Sequence, residues 1–297
     1  MISYDRKDRL TGEIVRFYQH HTGFRIDFVP KRAYSNKFAG LVVPFGADQL
    51  SYTDRTSGEP VDILAGTPFF LKEALLHMDG QKESLGRLAD MGIQIEGRVH
   101  RTYTTYSFST VDDFEEGVLG LLSLILEGVL TTDSVELERD RLRTDFLLEE
   151  EVLTEVGQEV LLRGMYENRA IYLPEEGPLE NIMQIDRTSL ENYYRNAYHP
   201  RAMILVIVGS FDGEKEQALI DRIKTFLDAL YRDYFNGQPK TNRTGPMFKF
   251  PSDYGKAPVL AKQRLELPSK VSAFYLGYKK PYPEGAKSYG GRELAYA

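Results

Sequence analysis

Lys72, Glu73 and His77 interrupt an otherwise apolar run from Gly66 to His77. Phe70, Leu71, Ala74 and Leu75 recur there at helical spacing. Thr67 suits an N-cap and Pro68 the first helical position, so the run predicts a helix with one buried face. Glu73 and His77 are four apart and so on one side of it, which in isolation is an ordinary buried helix. The second candidate set is Glu149-Glu150-Glu151, on a long helical stretch from Asp133 to Tyr166 whose ordinary explanation is a solvated face. His20 and His21 read as solvated turn residues, because adjacent side chains on a tight turn rarely ligate one metal.

The elements that must position these residues alternate between strand and helix patterns. Segments 13–18 and 24–29 read as two short strands, with Phe24, Ile26 and Phe28 alternating against Arg25 and Asp27, and 38–46 as a more continuously apolar one. After the Gly66 helix, Ser84 to Met91 predicts a helix ended by Gly92. Residues 92–111 form a long β segment broken at His100-Arg101. Asp113 caps a core helix from Phe114 to Gly128, and Met203 to Val208 is a buried strand between helices at 186–198 and 213–234. Asn236-Gly237-Gln238-Pro239 and Thr244-Gly245-Pro246 mark a linker.

The chain has 297 residues, no cysteine and a net charge of −7. That length allows one large or two medium domains. The charge argues against general nucleic-acid binding, and the absence of cysteine removes disulfides and thiolate metal sites together. No window is long and apolar enough to cross a membrane, and no secretory h-region follows Met1, which points to a cytoplasmic protein without a membrane partner.

The frame Gly-Thr-x-x-Phe-Leu-x-x-x-Leu, from Gly66 to Leu75, resembles the helix that carries the inverted zinc motif H-x-x-E-H in the pitrilysin, insulinase and mitochondrial processing peptidase family. Gly92, Thr104 and Tyr106 are similar to that family's Gly-to-Tyr strand pair. Tyr194, Tyr198, Pro200, Gly209 and Asp212 resemble its Tyr-x-x-x-Tyr-x-Pro and Gly-x-x-Asp signature. The resemblance covers nearly the whole chain in order and is closest to small bacterial members. It implies an α+β fold, with an antiparallel sheet packed on helices in a half-clamshell unit at 1–235. A linker at 236–257 and the opening of a second similar unit at 258–297 follow. In register, Phe69 stands where the motif has its first His, Lys72 where it has the Glu base, and Glu73 where it has the second His. Counting from Glu73, Glu149 or Glu150 falls at the family's third-ligand position.

At these positions Phe69 offers no lone pair, and Lys72 can be neither base nor ligand for a dication while charged. Zinc is therefore not expected, and Lys72 is expected to neutralise the carboxylates instead. The favoured function is a non-catalytic subunit that binds a peptide or unfolded protein segment and pairs with an H-x-x-E-H-bearing homologue. Ile95, Glu96, Gly97 and Arg98 are the expected peptide-binding strand, since the family's equivalent strand takes substrate by main-chain pairing. Two alternatives stay open: an active metallopeptidase using Glu73, His77 and Glu150 as a substitute ligand set, and a peptide-binding scaffold with no peptidase partner.

Overall fold

The computed structural model describes residues 1–7, 11–31, 34–77, 82–148, 153–166, 172–232, 262, 264 and 273–278. The chain divides into two compact units, one made of Met1–Leu148 with Pro174–Phe248 and the other of Glu149–Leu173 with Lys249–Ala297. The expected linker at 236–257 lies outside the described residues, as does most of 258–297.

The larger unit is built on a seven-stranded sheet. Its strands in chain order are β1 (Ile2–Lys7), β2 (Ile14–Gln19), β3 (Arg25–Pro30), β4 (Lys37–Val43), β7 (Glu96–Val99), β8 (Thr104–Thr110) and β9 (Ile204–Gly209). A separate hairpin, β5 (Ser51–Thr53) with β6 (Pro60–Asp62), lies between β4 and the first helix. Across the sheet the order is β1-β2-β3-β9-β4-β8-β7. The expectation of an antiparallel sheet is corrected at one place: β3 and β9 run parallel, in the register Ile26↔Leu205 and Phe28↔Ile207. The late strand β9 enters between β3 and β4 and pairs with β4 antiparallel, so the sheet is mixed.

Alternation along each strand sends one face into the core. Ile26, Phe28, Ala39, Leu41, Tyr106, Phe108, Leu205 and Ile207 are buried in a single cluster with the apolar stripes of the helices. Those helices are α1 (Thr67–His77), α2 (Lys82–Asp90), α3 (Phe114–Leu126), α4 (Thr132–Leu148), α6 (Leu179–Ile182), α7 (Arg187–Ala197) and α8 (Gly213–Leu230). In the smaller unit, α5 (Leu153–Met165) packs on the extended residues 273–278, where the Tyr275 ring occupies the space that a side chain at Gly157 would need.

The charged break in the long β segment is the turn between β7 and β8, which pair from Glu96↔Ser107 to Val99↔Thr104. Two residues of the recognised signatures meet in the core: the hydroxyls of Tyr106 and Tyr198 are 2.6 Å apart. Tyr194 donates to the Ile125 carbonyl at 2.7 Å, and Asp212 caps α8 by accepting from the Lys215 amide at 2.8 Å. His20 corrects the reading of a solvated turn: it is 2 % exposed and bonds Thr22 and Asp228.

The Gly-Thr pair before α1 has a backbone reason. Gly66 has φ +94°, and Gly177, facing it from the loop before α6, has φ +75°. A Cβ on Gly66 would lie 2.5 Å from the Glu176 carbonyl oxygen, and one on Gly177 would lie 2.5 Å from the Ala65 carbonyl oxygen. Thr67 is not the expected N-cap; its hydroxyl donates to the Leu64 carbonyl at 2.7 Å, and the Gly66 carbonyl accepts the first helical bond from Phe70. Gly66→Ala should therefore destabilise the larger unit by at least about 2 kcal/mol, since it adds a left-handed backbone penalty to a backbone clash. Urea-melt midpoints measure this, and Gly58→Ala is the comparison, because Gly58 also has positive φ but open space around it.

Candidate functional site

Helix α1 packs against α4 on one side and the edge strand β7 on another. Lys72 is 7 % exposed, buried with Phe70, Leu71, Ala74 and Leu75 on the inner side of α1. Its stem runs over Gly97 of β7: a Cβ there would come within 2.8 Å of Lys72 Cδ and 3.0 Å of Cγ. Its ammonium sits 4.5 Å from the centre of the Phe69 ring and pairs with Glu73 Oε1. Phe69 meets Phe146 of α4 edge-on, with centroids 6.4 Å apart. An aromatic contact thus fills the place of the first expected ligand.

The other Glu73 oxygen faces α4. Glu73 Oε2 accepts from Arg141 at 2.8 Å and lies 3.0 Å from His77 Nδ1. Arg141 also donates through Nε to both oxygens of Glu138, at 2.9 and 3.1 Å, and reaches Asp145 at 2.6 Å. Glu138 is 5 % exposed and 3.6 Å from His77 Nδ1. Donor atoms of Glu73, His77 and Glu138 lie within 4.8 Å of one another. Burial pushes the Glu73 carboxyl up, but the His77 hydrogen bond and the Lys72 charge outweigh it and hold the group at about 2. The hydrogen bond to Glu138, then that to Glu73, raises His77 to about 9.

Glu73 and His77 of the substitute set are thus brought together, but the third carboxylate beside them is Glu138. Glu149 and Glu150 lie outside the described residues. Glu138 was hidden in the run Glu136-Leu137-Glu138-Arg139-Asp140-Arg141, which is acidic and basic by turns. The usable signal is its spacing, three after Val135 and four before Leu142, both of which are buried. One imidazole and two carboxylates would be a reasonable donor set for zinc. Here, however, the Arg141 guanidinium bridges the two carboxylates, and a dication entering between them would have to displace it and remain near Lys72. The donor set does not fit a zinc ion in this arrangement.

The expected peptide strand is an edge. Among the described residues β7 pairs only with β8. Glu96 and Arg98 are exposed, Gly97 is half-buried, and Ile95 lies just before the strand, packed against the core. Beside Glu96, a cavity of about 340 Å³ opens between Phe38, Ser107, Ser109 and Gln94.

No protein-family model matches the chain. Among curated proteins it is 22% identical over 203 residues to the uncharacterised zinc protease YmfH of Bacillus subtilis, covering 68% of this chain and 46% of that protein. It is 29% identical over 177 residues to the alpha subunit of the mitochondrial-processing peptidase of Pongo abelii, covering 55% of this chain and 32% of that one. The crystal structure of an M16-like peptidase from Alicyclobacillus acidocaldarius superposes with a TM-score of 0.66 at 23% identity, over 74% of this chain and 51% of the other. The chain is similar to members of the pitrilysin/insulinase (M16) peptidase family. It spans less than half the length of these curated relatives. The solved structure carries the fold, an M16 half-unit with its sheet backed by helices. No helix among the described residues is long and apolar enough to cross a membrane.

Two outcomes follow from the geometry. Gly97→Ala should destabilise the larger unit, since the new methyl would lie 2.7 Å from Leu76 Cδ1 and 2.8 Å from Lys72 Cδ, and Lys72→Ala should relieve the part of that loss that comes from the Lys72 stem. Urea melts of the single and double variants should give a coupling of about 1 kcal/mol, and additive effects would mean that the two positions do not touch. His77 should make stability pH-dependent. Its folded value of about 9 stands above the ordinary 6.5, so its contribution is complete below pH 6.5 and fades as pH rises through 9. The difference in urea midpoint between wild type and His77→Gln should be largest near pH 6, where Glu73 is ionised as well, and should vanish above pH 9.

Proposed function

We propose that this chain is a non-catalytic M16 unit that presents an edge strand to extended peptide and acts beside an H-x-x-E-H-bearing homologue. The observation that carries the reading is the Arg141 bridge between Glu73 and Glu138, with Lys72 on the far oxygen of Glu73. Two fixed cations stand where a peptidase would need a dication and a carboxylate base. They satisfy carboxylates whose burial unpaired would cost several kcal/mol. The site is thereby a structural ion network, without a group able to activate water.

The edge of β7 supports peptide binding, because an added strand gains main-chain hydrogen bonds whatever its sequence. Glu96 beside the cavity favours basic or neutral segments over acidic ones. Pairing with a catalytic homologue is supported by the family, in which the mitochondrial-processing peptidase relative is itself a subunit.

The test is peptide cleavage by the purified chain with added zinc, alone and after co-expression with an H-x-x-E-H homologue. The chain alone should cleave nothing, and the co-expressed pair should cleave a basic unstructured peptide. Ile95→Pro, which removes a backbone donor at the start of β7, should lower cleavage by the pair while the complex still forms. Chelator-sensitive cleavage by the chain alone that Glu73→Gln abolishes would establish the substitute-ligand peptidase instead. If no homologue associates but peptide still binds, the chain is a scaffold.

A further inference from the structure

We propose that His20, His21 and Asp228 form a binding site for a first-row divalent transition-metal ion of the zinc, cobalt or nickel kind, separate from the Glu73 network and sharing no residue with it. The three donors come from two elements. β2 ends at Gln19, and the chain turns at once through His20 to Gly23. The turn is closed by the Gly23 amide on the His20 carbonyl and the His20 amide on the Phe24 carbonyl, both at 2.9 Å. Gly23 has φ +96°, and a Cβ there would lie 2.7 Å from Arg201 Cγ, so the turn has little room to adjust. It holds the two neighbouring imidazoles with centroids 4.0 Å apart and their planes tilted by 46°. Both reach one carboxylate oxygen, Asp228 Oδ1 in the last turn of α8, at 3.0 Å from His20 Nε2 and 3.5 Å from His21 Nδ1. All three donor atoms lie within 4.8 Å of one another.

Those separations have a chemical meaning. Two ligands about 2.1 Å from one zinc-like ion, at angles between octahedral and tetrahedral, stand about 3.0 to 3.4 Å apart. The two imidazole-to-carboxylate distances are close to that range. Imidazole with carboxylate is also a donor pair that such ions prefer over magnesium or calcium.

The surroundings sort the rest of the site. His20 Nδ1 is 2.9 Å from Thr22 Oγ1 and accepts from the Thr22 amide at 3.4 Å, which leaves the ring proton on Nε2, facing Asp228 Oδ1 at 3.0 Å. An ion taking the place of that proton would shift it to Nδ1, where Thr22 Oγ1 is placed to accept it. Lys224 occupies the other Asp228 oxygen at 2.6 Å, which leaves Oδ1 for the ion but adds a nearby positive charge. His20 is buried, whereas the side chains of His21 and Asp228 are 65% and 38% exposed, so an ion can enter from solvent and complete its shell with water. The carbonyl end of α8 favours a cation at this position.

The experiment uses the full, tag-free chain stripped with a chelator and titrated with cobalt(II) by absorption and with zinc by calorimetry. A single saturable equivalent should bind, and His21→Ala and Asp228→Asn should each weaken binding by about tenfold or more. His77→Ala should leave it unchanged. If Asp228→Asn perturbs the fold by freeing His20, the exposed His21 variant still decides. The proposal is overturned if His21→Ala binds like wild type, if His77→Ala removes the binding, or if no saturation appears below millimolar metal. None of these readouts depends on peptide cleavage, so the result stands apart from the peptidase question.

Discussion

Glu73 and Glu138 are drawn out of water where α1 meets α4, and each must meet a cation there. A carboxylate in low dielectric either gains a partner, protonates or destabilises the fold. Arg141 satisfies both at once, through a planar fork that a lysine could not match. Lys72 then takes the remaining Glu73 oxygen, and His77 closes the group from the next helical turn. The positions around this network follow from it. The absence of a side chain on Gly97 makes room for the Lys72 stem and Leu76 over β7, and Phe69 packs edge-on against Phe146.

The frame that carries the network does not depend on its charges. Gly66 and Gly177 fix the entry to α1 through backbone contact, and Tyr106 and Tyr198 tie β8 to the end of α7 through a buried hydroxyl pair. Of these, Gly66, Tyr106 and Tyr198 belong to the signatures that resemble the inverted-motif peptidases, and here they serve packing and backbone geometry. The positions at which it differs from the inverted motif, Phe69, Lys72 and Glu73, are those that the resemblance would put beside a metal. A fold can therefore persist while its chemistry changes, because the two sets of constraints fall on different side chains.

This division also decides what could be read from the sequence. Strand β3 with its clean alternation and the helix α3 with its regular apolar spacing were legible to within two residues, and the more continuously apolar β4 was found but ends three residues earlier than expected. β1 was not, since all six of its residues are exposed, and the β5–β6 hairpin was hidden in a polar, turn-prone segment. The parallel pairing of β3 with β9 joins segments nearly 180 residues apart, for which local periodicity carries no signal. Glu73 and His77 were legible as a pair because a helix fixes the separation of residues four apart. Arg141 and Glu138 were not, because what distinguishes them from neighbouring surface charges is the packing of α4 on α1. His20 was misread for the same reason: its partner Asp228 lies on a helix more than 200 residues away.

The network also sets the cost of converting this site to a zinc site one substitution at a time. Exchanging Lys72 for Glu would put a third carboxylate beside Glu73 and Glu138 and leave Arg141 and His77 to balance all three. Exchanging Glu73 for His would remove the anion that Lys72 and Arg141 share, and would leave two cations facing an imidazole. Restoring a His at Phe69 alone would place a polar ring in the contact with Phe146, under the Lys72 ammonium. Each step leaves a buried charge or polar group without its partner, at a cost of several kcal/mol in a protein whose whole stability is only about 5–15. The intermediates between an ion network and a metal site are thus less stable than either end. The same charges that hold the network together oppose the entry of a dication between Glu73 and Glu138.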